Sequence, residues 1–152
     1  MVNYTKLQAP VPLSIIGSST VSASATAGQS FSFNLQSDPT QPATTYTYLS
    51  APPTESWLVH GVESLSTPAI DGVVTWKVDN VDQNITFGPL SVTLPTIYHQ
   101  KSFKTSYVDI GPTSRGQPYF VLSAANGTTT VTVNVQFYIM RVPVGYRGPI
   151  NF

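Results

Sequence analysis

Charge is what this sequence has least of. Of 152 residues, seven are Lys or Arg and seven are Asp or Glu, so 9% carry a formal charge and the net charge is zero. Soluble domains ordinarily have about a quarter of their residues charged. The deficit argues against binding to nucleic acid, because neutralising phosphates takes clustered cations. Here Lys6, Lys77, Lys101, Lys104, Arg115, Arg141 and Arg147 are scattered, and neither end is a basic arm. Cysteine is absent, which removes disulfides and thiolate chemistry and leaves the redox compartment unreadable. No run approaches the ~18 apolar residues that read as a membrane span. The opening MVNYTKLQAPVPLSII has one Lys followed by Pro-broken apolar positions, unlike a secretory signal. The expectation is a chain made and used in the cytosol, or one whose export signal has been trimmed. Helical periodicity is missing as well.

What is present is strand pattern. Ser and Thr fill the polar positions, and the mean hydropathy is +0.03. From Thr128 to Val142, Val131, Val133, Val135, Phe137 and Ile139 alternate with Thr130, Thr132, Asn134, Gln136 and Tyr138. One buried and one polar face are expected over a strand well beyond the usual ~5–6 residues. Asn126-Gly127 just before it is a hairpin signal, so Pro118–Ala124 is expected to pair antiparallel with the long strand. Ser30–Gln36 puts Phe31, Phe33 and Leu35 on one side, and Gly72–Asp79 does the same with Val74, Trp76 and Val78. Further strand candidates are Leu13–Ile16, Thr20–Ala25, Thr44–Leu49, Ser56–Val62, Asn84–Phe87, Leu90–Leu94 and Ile97–Ile110. Most of the thirteen Pro residues fall between these runs, as in a sheet protein with stiffened connections.

The pattern predicts an all-β chain: an antiparallel β-sandwich, a jelly roll of about eight or more strands, with extended arms at both ends. A minimal immunoglobulin-type sandwich needs fewer strands and only ~100 residues. The expected division is an N-terminal arm over 1–12, one sandwich domain over 13–142 and a C-terminal tail over 143–152. The tail, PVGYRGPINF, carries Tyr146, Ile150 and Phe152 and reads either as a docking segment or as a tail folded back onto its own sandwich.

Chemistry is thinly represented. There is no Gly-x-Ser-x-Gly elbow, and His60 and His99 both lie on expected strands, where a surface or structural role outweighs that of a base. The carboxylates Glu55, Glu63, Asp71, Asp79, Asp82 and Asp109 mostly fall at expected turns, which is ordinary for Asp and weak support for a glycosidase pair. Asp79-Asn80-Val81-Asp82-Gln83-Asn84 gathers oxygen side chains that could serve Ca²⁺, with Asp79, Asp82 and Asn84 as the candidate ligands. A plain turn explains the same run. No cofactor is expected, and an enzyme is the last of the readings. Tyr46 and Tyr48, two apart and so on one side of one strand, could form with Trp57 and Tyr119 a platform for stacking a sugar ring. Alternatively, and as the more ordinary reading, they are core or the dry centre of a subunit interface. Tyr46, Tyr48, Tyr146, Ile150 and Phe152 are the interface candidates.

The run Pro52-Pro53-Thr54-Glu55-Ser56-Trp57-Leu58-Val59-His60-Gly61-Val62 resembles a stretch of small β-sandwich virion proteins, where a Pro-rich turn leads into a Trp-bearing strand and a Gly-containing bend. With the long closing strand and the scarcity of charge, the chain is similar to the single jelly-roll capsid proteins of tailless icosahedral, membrane-containing bacterial or archaeal viruses. The resemblance implies a virion subunit, made in the host cytoplasm, that self-associates into dimers or larger capsomers. It also implies a possible second capsid protein and an underlying membrane as partners, with no direct contact to nucleic acid. Two other classes stay open. A carbohydrate-binding module or lectin-like sandwich would show a row of exposed aromatics or a calcium site, and an immunoglobulin-like adhesin or pilus domain would show strand exchange.

Overall fold

The computed structural model describes residues 7–36, 45–65, 70–90, 97–99 and 107–150. Among them are twelve β-strands and no helix. Among the described residues no helix is long and apolar enough to cross a membrane. The strands are β1 (Val11–Val21), β2 (Ser30–Ser32), β3 (Asn34–Gln36), β4 (Thr45–Tyr46), β5 (Leu49–Ser50), β6 (Glu55–Ser64), β7 (Gly72–Val78), β8 (Val81–Leu90), β9 (Ile97–His99), β10 (Val108–Ile110), β11 (Arg115–Leu122) and β12 (Val131–Pro143). They form two antiparallel sheets. One runs β10-β6-β12-β1-β3-β4, with β9 also on β6, and the other runs β2-β11-β7-β8, with β5 also on β11.

The pairing is nested. If the two-residue β4 and β5 are set aside and β2–β3 and β9–β10 each count as one interrupted run, eight runs remain, of which the first pairs with the last (β1 with β12) and the second with the seventh (β2 with β11). The third then pairs with the sixth (β6 with β9 and β10) and the fourth with the fifth (β7 with β8). The chain therefore folds as a long double ribbon wrapped on itself. Its two inner faces close over one core, centred on Trp76, Phe33, Phe87, Phe120 and Phe137, all fully buried. Phe137 meets both Phe33 and Trp76 edge to face, with centroids 5.3 and 5.1 Å away, the geometry that the aromatic quadrupole favours.

The long alternating strand is β12, with Val133, Val135, Phe137 and Ile139 buried as the alternation requires. The hairpin expected before it does not form. β11 and β12 lie in different sheets, and the chain between them crosses from one layer to the other. Gly127 lacks the positive φ that a two-residue type I′ turn demands at both central positions. Asn126 instead ties the crossing to the β1–β2 connection: its side-chain amide donates to the carbonyls of Ser22 (2.9 Å) and Thr129 (3.0 Å), and its backbone N–H to Ala25 (2.8 Å).

Three other expectations change in detail. Leu13–Ile16 and the first two residues of Thr20–Ala25 are joined in one strand, β1, paired with β12 from Val11↔Arg141 to Val21↔Val131, and the strand ends there, before Ser22–Ala25. The intervening Gly17 and Ser19 are no break: Gly17 lies under the ring of Phe137, and the buried Ser19 hydroxyl donates to Phe31 O. Ser30–Gln36 does put Phe33 and Leu35 in the core, but the run changes sheets at Phe33, whose N–H reaches Pro118 O in one sheet while Asn34 and Leu35 pair with β1 in the other. Asn84–Phe87 and the start of the Leu90–Leu94 run belong to the single strand β8. Of Ile97–Ile110, β9 and β10 are strands, and the residues between Tyr107 and His99 lie outside the described set, as do 91–94.

The tail takes the folded-back form. After β12 ends at Pro143, Gly145 turns the chain at φ +77°. Val144 N–H donates to Thr54 O, and the Tyr146 hydroxyl to Pro149 O. Tyr146, Ile150 and Tyr107 then pack on Leu58, Met140 and Val142, a small apolar cluster on the outer face of the β6–β12 sheet.

Candidate functional site

One end of the sandwich carries an aromatic cleft whose Trp57 wall is held from behind by an ion pair. Alternation along β12 continues past Phe137 and Ile139 to place Arg141 on the inner face, opposite Trp57 of β6. Glu55 lies two residues before Trp57 and so on the same side, with only 2% of its surface exposed. The Arg141 guanidinium grips it with two bonds, Nε to Oε1 at 2.7 Å and a terminal nitrogen to Oε2 at 2.9 Å. The Trp57 indole N–H also donates to Glu55 Oε1, at 3.1 Å. These contacts, the hydrogen bond from Arg141 foremost, hold the Glu55 carboxyl below its ordinary range against the opposing effect of burial. Arg141 is correspondingly harder to deprotonate.

Trp57 is thus fixed at the wall of a cavity of about 310 Å³ that it shares with Tyr46, Tyr48, Ile15, Leu49 and Ser50. Tyr46 and Tyr48 do not sit on one strand: β4 ends at Tyr46, and the chain bends before β5. Their rings nevertheless meet, with centroids 6.4 Å apart at 60°. Tyr46 is 40% exposed and Tyr48 half-buried. On the far side of Tyr48 the Arg115 guanidinium lies 4.6 Å from the ring centroid. There a second, more polar depression of about 420 Å³ opens, with Ser50, Thr113 and Arg115 in its lining.

Three of the four expected platform aromatics therefore come together. Tyr119 does not join them: it stands on the outer face of the other sheet, with the Lys77 ammonium 5.3 Å from its ring centroid and its hydroxyl on Gln117. Tyr146 and Ile150 lie on the chain's own outer cluster, and Phe152 lies outside the described residues.

The oxygen-rich run is organised as a turn. Val78 pairs with Val81, and Asp79 and Asn80 have φ +49° and +65°, as a two-residue type I′ hairpin requires. Asp79 Oδ1 accepts from Arg115 N–H (2.9 Å), and Asp82 Oδ1 from Asn84 N–H (3.1 Å). Among the described residues no three His, Cys, Asp or Glu side chains cluster as metal ligands would.

The remaining titratable candidates are dispersed. His60 is buried on β6 where the register with β12 shifts, and His99 is on β9 opposite Gly61. Glu63 accepts a short hydrogen bond from the Tyr138 hydroxyl on the outer face. That bond, with burial and the Glu63 charge, raises the tyrosine pKa to about 12. Asp71 and Asp109 are exposed at separate places.

Sequence reasoning missed the Glu55–Arg141 pair, although a signal was there. Arg141 falls on the inward parity of the longest alternating run, and an inward cation requires a carboxylate partner. No protein-family model matches this chain, and no curated protein matches it significantly.

Proposed function

We propose that this chain is a structural virion protein, a capsid subunit that self-associates to build an icosahedral shell. The nested pairing of first with last, second with seventh, third with sixth and fourth with fifth strand runs carries the reading. Two four-run sheets wrapped in this order support describing the sandwich as a jelly roll. The scarcity of charge fits it too, since copies with no net charge repel one another little and their contacts are weakly screened by salt. Each copy buries its own core, and many modest contacts, multiplied around a closed shell, hold the whole together. A second capsid protein and an underlying membrane are the partners proposed, and the virion is the proposed location. A carbohydrate-binding module is the second reading, favoured by the meeting of Tyr46, Tyr48 and Trp57 at one cleft.

Light scattering coupled to size exclusion, over a range of protein and salt concentration, separates the two readings. Reversible dimers, hexamers or larger bodies, visible as regular particles by electron microscopy, are expected of a shell subunit. A strict monomer at every concentration would overturn it.

A further inference from the structure

We propose that the cleft lined by Tyr46, Tyr48 and Trp57 binds a saccharide, one pyranose ring stacking on the aromatic wall and its hydroxyls meeting the polar rim beyond Tyr48. The proposal does not depend on whether the chain builds a shell. Three features of the cleft carry it.

The first is the fixed orientation of Trp57. Its N–H is committed to Glu55, which is itself buried and clamped by Arg141, so what Trp57 offers the cleft is an apolar ring held in place. A carboxylate taken out of water is a costly support, and such pre-organisation of a contact surface lowers the cost of binding.

The second is the distribution of polarity. Among the described residues the aromatic cavity is lined by no charged side chain, with Ser50 at its edge, while Thr113 and Arg115 join Ser50 in the depression on the other side of Tyr48. A ligand matched to that pair of surfaces has an apolar C–H face and a rim of hydroxyls. That is the chemistry of a pyranose. It is not that of a nucleotide, which would call for clustered cations, or of a lipid tail, which would leave the rim unused. The third is size: a cavity of about 310 Å³ beside one of about 420 Å³ lies in the range of ~300–1,000 Å³ usual for small-molecule sites and suits one or two sugar units.

The chain has two tryptophans, and Trp76 is fully buried in the core, so a ligand-dependent change in tryptophan fluorescence reports Trp57. The probes are glucose, galactose, mannose and N-acetylglucosamine with their β-1,4-linked disaccharides. At least one is expected to give a saturable change with Kd of about 0.1–10 mM. Tyr46→Ala and Tyr48→Ala are expected to weaken it about tenfold, the factor a ring-stacking contact supplies. Tyr119→Ala, on the far sheet, leaves it unchanged. Tyr46→Phe keeps the ring and keeps binding, which separates loss of stacking from loss of fold. No saturable change with any probe overturns the proposal. Binding that survives both alanine variants overturns it equally.

Discussion

At the scale of single residues, two positions have little freedom. Arg141 is 28% exposed along its side chain while Glu55 is almost wholly enclosed, so the pair is asymmetric: solvent can help the cation but not the carboxylate. Removing the guanidinium strands a buried charge. Arg141→Met is expected to cost about 2–3 kcal/mol at pH 7, below the usual figure for a fully buried pair because one partner is partly solvated. The pH dependence follows from the direction of the Glu55 shift. Its folded pKa is lowered, so its contribution is complete above the unfolded value of about 4.3 and is lost as pH falls through the folded value. Urea unfolding of native and variant chains should differ most near neutrality and converge in acid. A gap that persists unchanged at pH 3 would mean that the charge pair is not the cause. Gly17 is constrained by shape. A Cβ there would lie 2.8 Å from Phe137 Cε2, and Phe137 is wedged against both Phe33 and Trp76. With no room for the ring to retreat, Gly17→Ala should cost about 1–3 kcal/mol by the same measurement.

At the scale of elements, the β7–β8 hairpin rests on two left-handed residues. Asn80 at φ +65° tolerates that conformation better than a residue without a side-chain amide. Asn80→Ala should therefore lower stability by about 1 kcal/mol and Asn80→Gly should not, with thermal unfolding as the readout. Equal losses would show that the side chain, not the backbone, matters there. The elements also mark what alternation can and cannot reveal. Val74–Trp76 and Val131–Ile139 were readable because each run stays on one sheet, so a period of two maps directly onto inside and outside. Phe33 was not readable as a corner, because alternation continues through the bend while the hydrogen bonds change partners. Asn126-Gly127 misled for a related reason: turn composition signals a reversal locally, but which sheet receives the next strand is decided by distant pairing with β1 and β6. The aromatic cleft was half legible. Tyr46, Tyr48 and Trp57 could be grouped as aromatics, but the shared strand read from the spacing of the tyrosines does not exist and Tyr119 belongs to the other sheet; the three meet because β6 and the β4–β5 segment converge at one end of the sandwich.

At the scale of the whole molecule, the few charges and the folded-back tail have to be considered together. A neutral surface tolerates close neighbours, but only if its apolar ground is covered where contact is not intended. The segment after Pro143 provides such cover, laying Tyr146 and Ile150 over Leu58, Met140 and Val142. The tail, read from sequence either as a docking segment or as folded back on its own sandwich, thus has a role within its own subunit. Deleting residues 144–152 should leave the two sheets paired, since no strand is lost, yet lower stability by about 1–3 kcal/mol through exposure of the cluster. It should also produce association that is irregular, grows with temperature and gives no discrete particle by light scattering. Replacing Tyr146 and Ile150 with alanine at full length separates cover from reach: it strips the apolar contact but leaves the chain long enough to touch a neighbour. If both variants associate irregularly, the tail serves as a lid on its own sheet. If the alanine variant still forms discrete bodies and the deletion does not, the backbone of the tail itself bridges subunits, and the fold-back describes the unassembled state.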